Sequence, residues 1–233
     1  MIEAEWWDYD SPEEMAEAVA GDVGFIVESA LDARGAALLA LPADEVALAI
    51  FPKLAGTNLE WKQVTIIPTD DLIVGVDSER SRARALAQQF LPKGGRVVPI
   101  VTPLADYRLA GNSADARLQD LPWPPDVVWL SVGEDGSAAG IVAGPDLQDA
   151  LDAPKARRAV GVMPDPLPQD APVARVTLTR ASILAARTVL ITITGQKKRE
   201  VLEQAIADGH SSKLPIGRVL AEAEQPIDIH WCP

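Results

Sequence analysis

Five short runs in this chain are apolar at almost every position: AALLAL (36–41), QVTIIP (63–68), RVVPIV (96–101), DVVWLSV (126–132) and TVLITIT (188–194). A strand with one wet face alternates polar and apolar residues. A run that is apolar on both sides belongs inside a sheet covered on both faces. Helical patterns separate the runs. SPEEMAEAVAGDVGFIVESALDARG offers Ser11 as a cap, Pro12 at the first helical position and acids in the first turn, with Met15, Val19, Val23, Ile26, Val27 and Ala30 in helical period. DEVALAIFPKL reads as a second helix cut short by Pro52, and SERSRARALAQQFL (78–91) as a third. YRLAGNSADARLQDL reads as a loop and a short helix, and SILAAR and residues 197–207 as further helices. ARVTLTR, after a Pro/Asp-rich loop at 164–172, is another strand, and the tail PIDIHWCP a last strand at the sheet edge. Strands alternating with helices predict an α/β fold with a mostly parallel, Rossmann-like central sheet flanked by helices on both faces. The expected organisation is one domain over residues 1–233, with a small subdomain around 142–187.

Composition narrows the function. The 34 acids outnumber the 21 bases, for a net charge of −13. That argues against nucleic acid and anionic membrane surfaces as partners. No window holds the roughly 18–20 apolar residues that cross a bilayer, and the amino terminus lacks a basic segment ahead of an apolar one. The single cysteine, Cys232, excludes an intrachain disulfide and a cysteine-rich metal site. The chain is expected to be soluble and cytoplasmic, without metal or cofactor, and to act on a small molecule.

In parallel sheets, ligands meet the carboxyl ends of the strands, so four turns matter. The first, PADEVALAI, has no glycine to converge amides on a phosphate; Asp44 and Glu45 stand there instead, well placed for the start of a helix. The second, TDDLIVGVDSERSRAR, puts Asp70 and Asp71 after a strand, either as an acid/base pair or metal ligands, or as ordinary turn residues. Arg80, Arg82 and Arg84 cannot share one helical face, so one of them is free to reach a cleft. The third, SVGEDGSAAGIV, offers Glu134, Asp135 and Ser137, but lacks the spacing of a nucleophile elbow; Ser137 reads as a small helix-start residue. The fourth, TGQKKREVL, places Lys197, Lys198 and Arg199 where a helix dipole disfavours cations, which favours an anion-binding role.

Taken in order, these pieces resemble the 6-phosphogluconolactonase family, which is related to the glucosamine-6-phosphate isomerases. LDARGAALLAL with IFPKLAG, LEWKQVTIIPTDD, DVVWLSVGEDG with IVAGPDL, RVTLT and ITGQKK carry the resemblance, which spans most of the chain. It implies hydrolysis of 6-phosphoglucono-1,5-lactone to 6-phosphogluconate, in the pentose phosphate pathway, with a sugar-phosphate-like ligand. Asp70, Asp135, Gly136, Arg84, Gly195 and Lys198 match the family pattern. Four places depart from it. PADEVA replaces the serine- and glycine-rich phosphate loop, Leu72 stands where an arginine follows the acid pair, and Ser81-Arg82 replaces Ser-Asn. Ser137 stands where the resemblance places the histidine that activates water. A hydroxyl has no useful basicity near neutral pH, whereas imidazole titrates there.

Three readings follow. The family reaction is lost or weak and the protein is a binding module; or it is a divergent lactonase with Asp70, Asp71 or Asp135 as base; or it acts on an uncharged or cationic molecule suited to Asp44 and Glu45.

Overall fold

The computed structural model describes residues 2–102, 106–169 and 171–233. The first half runs β1 (Ala4–Asp8), α1 (Pro12–Arg34), β2 (Ala37–Leu41), α2 (Glu45–Ala55), β3 (Val64–Pro68), β4 (Asp70–Leu72), α3 (Arg82–Phe90), β5 (Arg96–Val97) and α4 (Tyr107–Leu118). The second half runs β6 (Val127–Ser131), α5 (Leu147–Leu151), β7 (Ala159–Val162), β8 (Arg175–Leu178), α6 (Arg180–Leu184), β9 (Thr188–Thr194), α7 (Gln196–Asp208), α8 (Pro215–Leu220) and β10 (Ile227–Cys232). Seven strands form one parallel sheet in the order β1-β10-β9-β6-β2-β3-β5. β4, β8 and β7 form a small antiparallel sheet.

The two-sided apolar runs divide their side chains between two cores. Ala37, Leu39, Leu41, Val64, Ile66, Val127 and Trp129 pack with α1, α2 and α3. Leu38, Ala40, Ile67, Val128, Leu130, Ile191 and Ile229 pack on the other face with α4, α7 and α8. This is the period of two expected of a strand covered on both sides. α1 begins as its sequence dictates: the Ser11 side chain accepts from the Glu14 amide, and Gly35 closes the helix at φ 69°.

Several local expectations are corrected. The tail is not an edge strand, because β10 pairs with β9 on one side and β1 on the other. Its cover, AEWWD, carries acids at both ends of a tryptophan pair and does not read as a strand. The run at 96–101 narrows to Arg96–Val97, after which only the Val98 amide still reaches β3, at the Ile66 carbonyl. Pro99 has no N–H to continue the ladder. α2 runs through Pro52 to Ala55, with Pro52 exposed, where the carbonyl freed by its missing N–H can be hydrated. α3 starts at Arg82 rather than at 78, because Ser81 is its cap. No helix starts at Ser137: Ala138 bridges Val132 and Ile141, and the next helix waits until Leu147. Asp170, within the expected loop at 164–172, lies outside the described residues.

β10 also buries one of the two histidines. His230 is 2% exposed, its Nδ1 lies 2.8 Å from the Tyr9 hydroxyl, and its ring stacks on Tyr9 and Trp7. Burial lowers its pKa from 6.5 to about 4 and pushes the Tyr9 hydroxyl up to about 12. The folded imidazole thus stays neutral where the unfolded one is protonated. Its stabilising contribution is complete above about pH 6.5 and is lost as pH falls toward 4. The total is on the order of 3 kcal/mol. His230→Gln should therefore unfold with a shallower pH dependence than wild type across that window. Denaturant melts of both proteins at successive pH values check this, and a wild-type-minus-variant difference that does not change with pH would refute the assignment.

Candidate functional site

β2 is the point at which the chain reverses its direction across the sheet. After β2 it builds outward through β3 and β5; from β6 it builds the other way, through β9 and β10. The crevice at such a reversal, beyond the carboxyl ends of the strands, is the usual ligand position. Here it lies between the turn after Leu41 and the turn after β6, flanked by the turn after β3 and the start of α7.

On the first flank, Asp44 is the cap of α2, and its Oδ1 accepts from the Ala47 amide at 3.2 Å. Glu45 is exposed in the first turn. Burial raises the Asp44 pKa, opposed by the Ala47 hydrogen bond and by the charges of Lys198 and Arg82. Those two cations come from α7 and α3.

The two aspartates of β4 divide their work. Asp71 is a structural acceptor, taking the amides of Leu72 (2.9 Å), Arg82 (2.8 Å) and Ala83 (3.0 Å) and so tying β4 to the start of α3. Burial raises its pKa against those bonds. Asp70 is fully buried and ion-paired with the Arg82 guanidinium, while its Oδ2 has no hydrogen-bond partner. Arg82 is thus the one of the three arginines that reaches the acid pair. Arg84, singled out from the sequence, turns away and donates to the Asp77 carbonyl at 2.7 Å. The signal for Arg82 was present in the Ser81-Arg82 departure, but only the fold shows which acid it reaches.

The turn after β6 closes on itself. Asp135 Oδ1 accepts from both the amide (3.0 Å) and the hydroxyl (2.6 Å) of Ser137. Gly136, at φ 74°, leaves no room for a side chain: a Cβ there would lie 2.7 Å from the Leu214 Cβ, and its carbonyl accepts from the Ile216 amide. Three residues after Ser137, Gly140 lies so close to Asp70 that a Cβ would sit 2.7 Å from the Asp70 Cβ. Neither imidazole belongs to this turn. His210 pairs with Glu222 at 3.5 Å, and His230 is held by Tyr9.

At the start of α7, Gly195 adopts φ 84° with open space beside it and provides no side-chain cap. Of the three cations that follow, Lys197 pairs with Glu134. Arg199 lies between the rings of Trp6 and Trp231 and binds Asp8 and Glu203. Lys198 makes no hydrogen bond or ion pair among the described residues. Another ion cluster, Asp126 with Arg34, Arg187 and the Leu38 amide, sits at the amino ends of β2 and β6, on the opposite edge. No group of three or more His, Cys, Asp or Glu side chains fit for a metal occurs among the described residues, and no helix there is long and apolar enough to cross a membrane.

The fold defines a doubly wound α/β protein with charged turns at its switch point. More specifically, the chain belongs to the family described as glucosamine-6-phosphate isomerases/6-phosphogluconolactonase, whose model matches residues 10–231. It is 34% identical to a 6-phosphogluconolactonase of Rhizobium meliloti over 229 residues, 97% of each chain. A 6-phosphogluconolactonase of Mesorhizobium japonicum is 33% identical, covering 98% of this chain and 95% of that one. The crystal structure of a 6-phosphogluconolactonase from Shewanella baltica superposes with a TM-score of 0.91 at 26% identity, over 100% of both chains.

Proposed function

We propose that this protein keeps the 6-phosphogluconolactonase fold and a sugar-binding rim but hydrolyses the family lactone weakly or not at all. The observation that carries this reading is the Ser137 hydroxyl, which donates to Asp135 where the family resemblance calls for an imidazole. A water attacking a lactone carbonyl needs a base that accepts its proton near neutral pH, and a group of this kind contributes on the order of 10²–10⁴ in rate. Asp135 is occupied by Ser137, and Asp71 is committed to three backbone amides. The phosphate side has changed as well, since the Asp44 carboxylate stands at the start of α2 where a sugar phosphate would need donors.

One observation favours a divergent hydrolase instead. The Oδ2 of Asp70, buried against Gly140, has no hydrogen-bond partner, so its carboxylate keeps accepting capacity that a small opening of this turn would offer to a water. Measuring 6-phosphogluconolactone hydrolysis, corrected for the spontaneous rate and run beside an active family member, separates the two. The expected result is a kcat/KM at least ~10²-fold below the control, the lower end of a lost base's effect. A rate within tenfold of the control would establish the divergent enzyme.

A further inference from the structure

The two arginines at the amino ends of β2 and β6 outnumber the carboxylate they hold. Asp126 is buried, and its Oδ2 accepts from the Leu38 amide at 2.9 Å. Its Oδ1 takes both guanidiniums: Arg34, in the last turn of α1, through Nη2, and Arg187, just before β9, through Nε at 3.4 Å. Tying these elements together needs one cation for the one anion. The second leaves a surplus positive charge, in a chain whose net charge is −13. Neither Nη group of Arg187 has a hydrogen-bond or ion-pair partner among the described residues, and Arg34 engages through Nη2 alone. Both side chains are partly exposed, so their remaining donors are open to a ligand.

These groups border a cavity of about 150 Å³. Its other walls are Pro122, Trp123, Pro124 and residues 36–38, and Asp126 is its only acid among the described residues. The walls are held in place. Arg158 lies over the Trp123 ring at 4.4 Å, the Arg187 amide donates to the Pro125 carbonyl, and the Asp126 amide donates to the Leu38 carbonyl. No residue of the turns at the carboxyl ends of the strands lines this cavity. A space of this size accommodates a single benzene ring; it is well below what a nucleotide or a sugar phosphate fills.

We propose that this cavity is a second ligand site, on the opposite edge of the sheet from the crevice, and that it takes a flat monocarboxylate of about one ring. The carboxylate bridges Arg34 and Arg187, and the ring lies against Trp123 and the prolines. A planar carboxylate matches the guanidinium fork and cancels the surplus charge, while Asp126 keeps its bond to the Leu38 amide. An aromatic body suits a wall of indole and proline rings. The site is independent of whether the crevice hydrolyses a lactone.

Benzoate is the probe, titrated into the full chain and followed by NMR at the Leu38 amide and the Trp123 indole N–H. Benzamide, acetate and inorganic phosphate are run beside it. Benzoate is expected to shift both signals saturably at millimolar concentration or below. Benzamide keeps the ring without the charge, and acetate and phosphate carry charge without the ring. Each should bind at least ~10-fold more weakly, the size of one lost charge-assisted hydrogen bond or of a ring left unburied. Arg187→Gln removes the surplus charge, leaves Arg34 on Asp126, and should weaken benzoate at least ~10-fold. Arg80→Gln, an exposed arginine ahead of α3, should leave benzoate binding unchanged. The absence of saturable shifts at Leu38 and Trp123 overturns the proposal. So does benzamide, acetate or phosphate binding as tightly as benzoate, or an Arg187→Gln protein that binds benzoate as wild type does. The benzoate–benzamide comparison uses wild type alone, so it decides the matter even where Arg187→Gln fails to fold.

Discussion

Gly161→Ala is expected to melt at least ~10 °C below wild type, or to leave no soluble protein. Gly161 lies in β7 against the start of α4, and a Cβ built there would sit 2.6 Å from the Tyr107 carbonyl carbon and closer still to its oxygen. The approach is reciprocal. A Cβ on Gly111, one turn further along α4, would lie 2.7 Å from the Val160 carbonyl carbon. Two bare backbones are in contact, and no flexible side chain can give way. Overpacking a core typically costs ~1–3 kcal/mol; an obstacle made of main chain on both sides puts this change at or above the top of that range. For a domain of this size each kcal/mol is worth roughly 2–4 °C. Gly21→Ala is the control: it faces open space on α1, and alanine there should be neutral or stabilising. Thermal melts of the two variants decide the matter. A Gly161→Ala protein that melts with wild type would show that α4 and β7 are not so close.

The same glycine pair shows where sequence reasoning stops. Gly111-Asn112 looks like a loop signal, and the segment reads as a loop with a short helix behind it. The structure makes it one helix, Tyr107–Leu118, capped by Asp106. Gly111 is there for contact with β7, fifty residues away, and no local pattern reveals a partner at that distance. The central sheet was legible because each run carries its own evidence: a strand buried on both faces must be apolar on both faces. β1 was not legible, because its burial depends on β10 arriving from the other end of the chain. The site divides in the same way. The turns were reached by following strand ends, and Ser137, where the resemblance places an imidazole, by residue type. Which arginine meets Asp70 was settled by packing. Ser81 caps α3, and Asp71 grips its first amides, so Arg82 leaves the helix start toward β4 while Arg84, two residues on, points elsewhere.

That arrangement also sets the outcome of an attempted rescue. Ser137→His returns the residue type that the family resemblance places there, on a turn whose Asp135-Gly136 step is intact. The single variant is nevertheless expected to stay near the spontaneous rate with 6-phosphogluconolactone. The lactone carbonyl must be held within reacting distance of the activated water, and misplacement alone costs ~10²-fold. On the proposed function, the Asp44 carboxylate that caps α2 opposes the phosphate that would do the holding, and Leu72, 6% exposed within β4, offers no cation. Adding Leu72→Arg is not enough, because it would bring a second guanidinium to an acid pair that already holds Arg82. The productive combination is Ser137→His with a glycine-rich loop in place of 42–46, Leu72→Arg and Arg82→Asn. Base and binding site act as a unit, so the gain should be strongly non-additive, reaching at least ~10²-fold in kcat/KM over the single variant. The measurement is kcat/KM for wild type, the single variant and the combined variant at one pH near 7. If Ser137→His alone matched the combined variant, the phosphate side would be intact and Asp44 would not be the obstacle. Full turnover by the wild type would mean that a carboxylate of the rim, Asp70, Asp71 or Asp135, does the work of the histidine.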